Sequence, residues 1–221
     1  MQTITVTRKA VIAIIIWSGL IATIGCGVEG LPLSEVNEYE GEDLSSITEF
    51  RENSIKGPQR IEIENYRLGI TGLVEHPVEY TYDQVISENI NYKKVVRLNC
   101  VEGWGVTILW EGVLVADILK KAKPLPGASV VIFHAYDGYI TSLPVDYVVD
   151  NNILLAYKIN GAMLPPVRGF PFQLVAEDKW GYKWIKWVVA IELSDDVNYE
   201  GYWESRGYSN TGNLDDGYFK R

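Results

Sequence analysis

Arg97-Leu98-Asn99-Cys100-Val101-Glu102-Gly103-Trp104-Gly105 is the stretch from which both the fold and the chemistry can be argued. It follows the apolar pair Val95-Val96, which is typical of a strand, and it holds the only cysteine outside the first thirty residues. A single thiol that leaves a strand into a Gly-Trp-Gly loop is an inert core residue, a nucleophile or a metal ligand. The neighbouring motifs decide among these three roles.

The composition sets outer limits on fold and partners. The chain has 221 residues, of which 47% are hydrophobic and 22% charged, enough for one domain with a sizeable core. Its 7 Trp and 14 Tyr indicate either a heavily packed core or a pocket walled by aromatic rings. A formal net charge of -9 argues against nucleic acid as a partner, because nucleic-acid binding depends on Lys and Arg that neutralise phosphates. An anionic ligand would need a locally positive pocket.

The first 25 residues have the layout of an export signal. The basic pair Arg8-Lys9 precedes a nearly continuous apolar run over residues 10–24. Gly25-Cys26 resembles the end of a lipoprotein signal, in which the cysteine carries the lipid; the other interpretation is an uncleaved anchor over residues 1–25. Both place the domain on the extracytoplasmic face of the cell membrane and tether it there through the N-terminus.

Residues 26–58 are rich in Glu, Ser, Asn and Gly and lack apolar periodicity. This composition predicts a flexible acidic linker between the membrane and the domain. If Cys26 is lipidated, Cys100 has no intramolecular partner. One free thiol is unusual in an exported protein, which favours a ligand or catalytic role for Cys100.

Residues 59–221 predict a single α+β domain with a mixed sheet, since strands outnumber helices and the two do not alternate regularly. The pattern predicts strands over 61–64, 66–71, 93–99, 129–134, 139–143, 153–159, 172–176 and 188–193. It predicts helices over 80–87, with Thr81 near the cap, and over 113–122, a short helix opened by Pro144, and a tail helix beginning at Tyr202. Asn160-Gly161 predicts a hairpin turn.

The inventory of metal ligands is sparse. The sequence has no CxxC, no HExxH and no cluster of His with carboxylates, so a zinc site built from protein ligands is disfavoured. A nucleophilic thiol needs a base, and neither His76 nor His134 has a spacing that identifies one. A thiolate that completes the coordination of a metal carried by an organic cofactor needs no second protein ligand. Gly103 and Gly105 would let such a ligand approach closely.

Basic and aromatic residues alternate over residues 179–187, shortly after Arg168. One interpretation is a solvated strand edge with rings on its packed face. The other is an anion pocket for a phosphate, with Gly181 giving access to the backbone and Lys183 supplying charge. Tyr139, after the turn Asp137-Gly138, either belongs to a simple hairpin or points its hydroxyl into a pocket. Taken alone, His134 is a core histidine.

Together these motifs resemble the sulfite-oxidase-type molybdopterin-binding domain over roughly residues 66–208. The resemblance rests on Gly72-Leu73-Val74, Cys100-Val101-Glu102-Gly103-Trp104, Asp137-Gly138-Tyr139, Leu154-Leu155-Ala156-Tyr157, Asn160-Gly161, Arg168-Gly169-Phe170-Pro171, Gly181-Tyr182-Lys183, Lys186-Trp187 and the Trp203/Tyr208 tail. It implies a sulfite-oxidase-like mixed-sheet fold and a molybdenum-molybdopterin cofactor. It also implies that Cys100 is the metal ligand, since soft sulfur ligands suit such a metal.

The resemblance also implies roles for individual side chains. Tyr139 matches an active-site tyrosine and joins Cys100 as a catalytic residue, while Glu102 and Trp104 would line the substrate pocket. The implied cofactor-binding residues are His134, Ala135, Arg168, Gln173, Gly181, Tyr182, Lys183 and Lys186.

A departure from the family pattern narrows the range of candidate substrates. Sulfite oxidases carry arginines shortly after the ligand cysteine, whereas residues 101–110 contain no Arg or Lys. The loop is more similar to that of bacterial periplasmic members that reduce sulfoxides, so a sulfoxide or N-oxide is favoured over sulfite. No haem domain is present, so the resemblance implies an external electron-transfer partner such as a membrane haem protein. Two alternatives stay open: a non-catalytic module that binds a ligand or partner on the same fold, and a cofactor-free cysteine enzyme.

Overall fold

A computed structural model describes residues 34–220. The expected export signal over residues 1–25 and the lipidation candidate Cys26 lie outside this range and remain predictions. Within it, no helix combines the length and the apolar character needed to cross a membrane.

The described residues form twelve strands, three α-helices and four single 3-10 turns. The strands are β1 Glu38–Tyr39, β2 Glu42–Asp43, β3 Leu68–Gly72, β4 Val78–Tyr80, β5 Asn91–Asn99, β6 Gly105–Leu114, β7 Val130–Ala135, β8 Ile140–Pro144, β9 Leu154–Ile159, β10 Ala162–Met163, β11 Gln173–Val175 and β12 Val188–Ser194. The helices are α1 Tyr82–Ser87, α2 Val115–Ala122 and α3 Val145–Asp150, and the 3-10 turns are Ile63–Asn65, Pro166–Arg168, Gly181–Lys183 and Glu204–Arg206.

Two five-stranded sheets carry the fold. One has the order β10-β9-β6-β5, with β11 also paired to β9, and the other has the order β4-β3-β12-β7-β8. In the second sheet β12 runs parallel to β3 and antiparallel to β7, so this sheet is mixed. The expected α+β class with a mixed sheet is confirmed.

The cysteine lies at a hairpin between the two longest strands. β5 and β6 pair from Asn91 opposite Val113 to Asn99 opposite Gly105. The backbone N–H of Cys100 donates to the carbonyl of Trp104 at 2.8 Å, which closes the loop. Gly103 has φ +86°, a conformation that glycine adopts without strain. The hairpin therefore fixes the position of the thiol from both strands.

Strand β6 was not expected from the pattern, which placed a helix from residue 113. In the structure Leu114 ends β6 and α2 begins at Val115. The strand lies between β5 and β9 and is buried on both faces, so it lacks the alternation that marks a half-buried strand. At Gly112 an added Cβ would lie 2.3 Å from the carbonyl oxygen of Leu155, so only glycine permits this close approach to β9.

Two predictions that rest on a few adjacent residues, the helix cap and the hairpin turn, are confirmed. Thr81 caps α1, and its side chain accepts from the backbone of Gln84 in a capping box. Asn160 and Gly161 have φ +46° and +79°, as the hairpin prediction requires. The strand expected over residues 61–64 is wrong, because a 3-10 turn begins at Ile63.

Residues 34–58 do not form the solvated linker that the composition predicts. Ile47 and Phe50 are 1% and 9% exposed and belong to the hydrophobic core. The backbone of Ser45 donates to the carbonyl of Thr107 on β6 at 2.8 Å. Two apolar side chains in a polar segment give no periodicity, yet they suffice to dock it because the backbone also bonds to β6.

Candidate active site

One cavity of about 480 Å³ collects most of the predicted site residues. Its wall comes from residues 50–55, the β5–β6 hairpin, the turn before β8, residues 168–187, and the tail around Tyr202 and Tyr208. Segments from both ends of the described chain therefore meet at the loop that carries Cys100.

Cys100 lies on the wall of this cavity and is 8% exposed. Burial raises the pKa of its thiol, and the carboxylate of Glu102 adds to that increase. The side-chain amide of Asn53 points at the sulfur, with Nδ2 and Sγ 3.7 Å apart. Within residues 34–220, Cys100 forms no disulfide. A thiol with a raised pKa becomes a thiolate when a metal cation binds it, and this environment suits a ligand better than a free nucleophile.

The histidines do not supply a base for this thiol. His76 lies beside Glu75, and Nε2 of His134 lies 2.9 Å from a carboxylate oxygen of Glu192 on β12. Neither histidine lines the cavity. The cofactor-free cysteine enzyme therefore lacks its base among the described residues.

Arg168 brings a buried positive charge to the cavity wall. Its guanidinium donates to the carbonyl of Ile47 at 3.2 Å and to that of Phe50 at 2.9 Å, and it lies 4.7 Å from the centre of the Phe50 ring. Burial lowers the pKa of Arg168 to about 10, so the side chain stays charged at neutral pH. The arginine thus holds the N-terminal segment in place and faces the cavity at the same time.

Lys186 is the second cation on this wall. Its Nζ lies 2.8 Å from Oε1 of Glu52 and 4.4 Å from the ring of Trp187. Burial lowers the pKa of Lys186, while the Glu52 carboxylate opposes that decrease. Cβ of Lys186 packs where a Gly169 side chain would stand, at 3.1 Å, so the loop after Arg168 can only be this tight with glycine.

Gly181 and Tyr182 bring the 181–183 turn against the cysteine hairpin. A Cβ on Gly181 would lie 3.3 Å from the carbonyl oxygen of Asn99 and 3.5 Å from Cα of Cys100. Gln173, which is buried, lines the same cavity from β11. Gly181, Tyr182 and Gln173 therefore line the cavity that Cys100 also lines, and their contact with a cofactor stays a prediction.

Tyr139 lines the cavity, but its hydroxyl is engaged. It donates to the backbone carbonyl of Tyr182 at 2.5 Å. Burial raises the pKa of Tyr139 well above its usual value, and the charge of Glu204 adds to that increase. The phenol therefore keeps its proton and can offer a substrate an acceptor lone pair without breaking its own bond.

Three of the predicted cofactor-binding residues lie elsewhere. Lys183 is 0% exposed, and its Nζ donates to Oε1 of Glu204 at 2.5 Å and to the carbonyl of Ser142 at 3.0 Å. His134 and Ala135 lie on β7, outside the cavity wall. The prediction that Lys183 supplies charge to an anion pocket is wrong, because Glu204 already neutralises it in the protein interior.

The mouth of the site carries a carboxylate. Nε1 of Trp104 donates to Oε2 of Glu102 at 3.1 Å, and this hydrogen bond lowers the pKa of Glu102. Arg51, from the N-terminal segment, also lines the cavity and contributes to that decrease. Glu102 is therefore ionised at neutral pH, and Arg51 is a cation whose charge acts on it.

Residues 50–55 also line the cavity, which their sequence does not predict. Phe50 stacks edge-on against Trp104 at 6.2 Å and against Trp110 at 6.3 Å. An isolated Phe in a polar stretch is a weak signal for such a contact. The tail was better signalled, because Trp203 and Tyr208 had been matched to the family.

The cavity suits a cofactor that brings its own metal. Within residues 34–220, no three His, Cys, Asp or Glu side chains converge on a point where they could hold a metal ion. One thiol and three cations, Arg51, Arg168 and Lys186, line the wall, and the buried hydroxyl of Ser54 there has no hydrogen-bond partner. A buried orphan hydroxyl is costly unless a ligand satisfies it. The residues present thus fit an anionic, metal-bearing organic group.

The fold and the site define the class of protein. The family model of the oxidoreductase molybdopterin binding domain matches residues 55–203, and the chain belongs to this family. It is accordingly an oxidoreductase whose cofactor is molybdenum-molybdopterin. This membership decides against the non-catalytic module.

Named relatives agree with the assignment. The chain is 34% identical over 152 residues to "Uncharacterized oxidoreductase YuiH" of Bacillus subtilis (strain 168), covering 68% of this chain and 76% of the relative. It is 34% identical over 147 residues to "Protein-methionine-sulfoxide reductase catalytic subunit MsrP" of Gluconobacter oxydans (strain 621H), covering 59% and 47%. This chain therefore spans less than half the length of that reductase.

A solved structure shows the same fold. The sulfane dehydrogenase SoxCD from Paracoccus pantotrophus superposes with a TM-score of 0.62 at 22% identity, covering 69% of this chain and 43% of the matched chain. The sulfite-oxidase-like mixed-sheet fold is thereby confirmed.

Proposed function

We propose that this oxidoreductase removes the oxygen atom from a small neutral oxide, a sulfoxide or an N-oxide, on the extracytoplasmic side of the cell membrane. The reaction consumes two electrons and two protons and releases the reduced substrate and water. The bound cofactor supplies the redox chemistry, and the protein orients the substrate and controls the charge around it.

The charge at the mouth of the cavity carries the proposal. Glu102 is ionised beside Cys100, and residues 101–110 offer no Lys or Arg. Arg51 offsets one negative charge, which leaves the mouth without a positive excess for an oxyanion such as sulfite. A neutral oxide approaches this mouth without electrostatic cost, whereas a dianion finds no net attraction there.

Aromatic side chains favour the same substrates. Tyr202, Trp203 and Tyr208 line the cavity together with Trp104. Rings of this kind contact the apolar groups of a sulfoxide, and sulfur lies favourably against aromatic edges. The similarity to a methionine-sulfoxide reductase catalytic subunit supports this substrate class, although less than half of that relative is matched.

The location and the electron donor are proposed from the sequence. The basic pair Arg8-Lys9 and the apolar residues that follow support export, with Cys26 as a lipidated anchor or residues 1–25 as an uncleaved helix. We expect electrons to come from an external partner such as a membrane haem protein. A Cys26→Ser variant should move from the membrane to the soluble fraction if the lipid is the anchor, and should stay membrane-bound if the helix is.

Substrate turnover tests the proposed reaction. Protein from a host that makes the cofactor would be reduced with a viologen dye and offered dimethyl sulfoxide, methionine sulfoxide and trimethylamine N-oxide. Oxidation of sulfite would be followed in parallel with an artificial acceptor. We expect reduction of at least one neutral oxide and a far slower reaction with sulfite. A protein with full molybdenum content that oxidises sulfite faster than it reduces any oxide would refute the proposal.

Glu102→Gln separates the electrostatic argument from simple damage to the site. Removal of the carboxylate should lower the KM for sulfite and leave the KM for dimethyl sulfoxide nearly unchanged. An equal change for both substrates would mean that the charge at the mouth does not select between them.

A further inference from the structure

The N-terminal strap, residues 46–55, contacts three residues of the predicted site: Arg168, Lys186 and Cys100. Its backbone carbonyls accept from Arg168, its Glu52 pairs with Lys186, and its Asn53 points at the sulfur of Cys100. These contacts differ in kind. The carbonyls of Ile47 and Phe50 are fixed by the core, whereas Glu52 is held by a side chain alone.

The charges around Lys186 nearly cancel when no anion is bound. Arg168 and Lys186 contribute two positive charges on the wall. Glu52 and Asp137 provide the two carboxylates whose charges act on Lys186. Asp137 is 2% exposed and accepts from the backbone of Tyr139 at 2.9 Å, so it is fixed in place. An entering phosphate therefore meets a pair of cations whose charge is already balanced.

Glu52 is the carboxylate that can leave. Its side chain is 28% exposed, against 16% for Lys186, so it can turn into water without crossing the core. Lys186 is held more firmly, because its Nζ lies over the Trp187 ring and its Cβ and Cγ pack at Gly169. Exchange of the carboxylate for a phosphate keeps one hydrogen-bonded anion on Lys186 and adds a second negative charge beside Arg168.

We propose that Glu52 is an exchangeable counter-ion that the phosphate of the cofactor displaces from Lys186. An anion then binds only if its interaction with Arg168 and Lys186 is stronger than the ion pair between Glu52 and Lys186. A monoanion that merely replaces the carboxylate gains little, whereas a multiply charged phosphate gains from both cations. The inference rests on the prediction that Arg168 and Lys186 bind the phosphate, and it is independent of which oxide the enzyme reduces.

Anion binding to protein purified without cofactor tests the proposal. Inorganic pyrophosphate would be titrated by calorimetry into the wild type, Glu52→Gln and Lys186→Met. We expect Glu52→Gln to bind pyrophosphate about three- to tenfold more tightly than the wild type, because loss of a partly exposed ion pair no longer opposes binding. Lys186→Met should lose most of the affinity. The affinity for acetate should increase by a larger factor than the affinity for pyrophosphate in Glu52→Gln, because a monoanion no longer has to displace the Glu52 carboxylate.

A matched control removes the same charge elsewhere. Glu79 is an exposed residue on the edge strand β4, outside the cavity wall, and Glu79→Gln should leave pyrophosphate affinity within about twofold of the wild type. Circular dichroism of each variant would verify that it is folded.

The opposite sign would overturn the proposal. Weaker binding in Glu52→Gln would show that Glu52 positions Lys186 for the phosphate instead of competing with it. Equal affinities, or no binding of pyrophosphate to either protein, would also refute it. Retention of molybdenum during dialysis of the loaded protein gives a second readout, and Glu52→Gln should lose the metal more slowly than the wild type.

Discussion

Lys183→Met breaks a fully buried ion pair, and we expect it to be among the most destabilising single substitutions in the chain. Lys183 and Glu204 are both 0% exposed. The Lys183 ammonium donates to Glu204 and to the carbonyl of Ser142, and the Glu204 carboxylate also accepts from the hydroxyl of Thr141 at 2.7 Å. The pair joins the 181–183 turn to the tail, and so supports two parts of the cavity wall.

The size of the effect follows from what remains after the substitution. Methionine fills nearly the same volume, so little cavity is created. The Glu204 carboxylate loses its counter-charge and keeps one neutral donor, while its second oxygen, Oε2, already has no partner. An uncompensated buried charge costs about 3–5 kcal/mol. Glu204→Gln in the same background removes the charge and retains an acceptor for Thr141, so the double variant should recover most of the loss.

Urea unfolding of the two single variants, the double variant and the wild type measures this coupling. We expect Lys183→Met to lower the free energy of unfolding by about 3–5 kcal/mol and the double variant by less than either single variant. Lys220→Met is the control. Lys220 pairs with Glu200 on the surface, so this substitution should lower the free energy of unfolding by less than about 1 kcal/mol. Additive losses in the double variant would contradict the reasoning.

The remaining predictions concern the metal, the sheet and pH. Cys100→Ser should abolish the molybdenum found by elemental analysis, at about one per chain in the wild type, while circular dichroism shows a retained fold. Gly112→Ala should lower the free energy of unfolding in urea by more than about 2 kcal/mol, because the added Cβ would lie 2.3 Å from the backbone of β9. Gly217→Ala is the control: no atom lies within 4 Å of its added Cβ, so the free energy of unfolding should change by less than about 0.5 kcal/mol. Burial lowers the pKa of Lys179 to about 8 from 10.5, so the unfolded chain binds more protons in this interval and the free energy of unfolding rises with pH. Lys179→Met should lack this contribution, which has a ceiling of about 1.4 kcal/mol per pH unit, and equal slopes for both proteins between pH 8 and 10 would contradict it.

The fold could be predicted wherever the signal was local. The Thr81 cap and the Asn160-Gly161 turn depend on a few adjacent residues, and both are confirmed. Strand β6 could not be found this way, because neighbours on both sides and a buried second face erase its alternation. Gly103 and Gly105 are typical of a loop, yet Gly105 already pairs with Asn99 as the first residue of β6.

The candidate site shows the same division. Motifs that resemble the family located Cys100, Arg168 and Lys186 on one cavity. The predicted role of Lys183 in binding an anion is wrong, because Glu204 neutralises its charge. Glu204 lies 21 residues further along the chain, so the local sequence pattern does not indicate this ion pair. The contribution of the N-terminal strap depends on contacts with Arg168 across more than a hundred residues, for which composition gives no signal.

The cavity is walled by the N-terminal strap on one side and by Trp203 and Tyr208 on the other. A ribosome makes the strap early and these two aromatic residues late. A nascent chain that has reached only β9 has its cysteine hairpin but neither the cations on the 168–187 wall nor the tail. The complete cavity wall therefore exists only once translation has passed residue 208, and a chain stalled before that point lacks part of the wall around the Cys100 thiol.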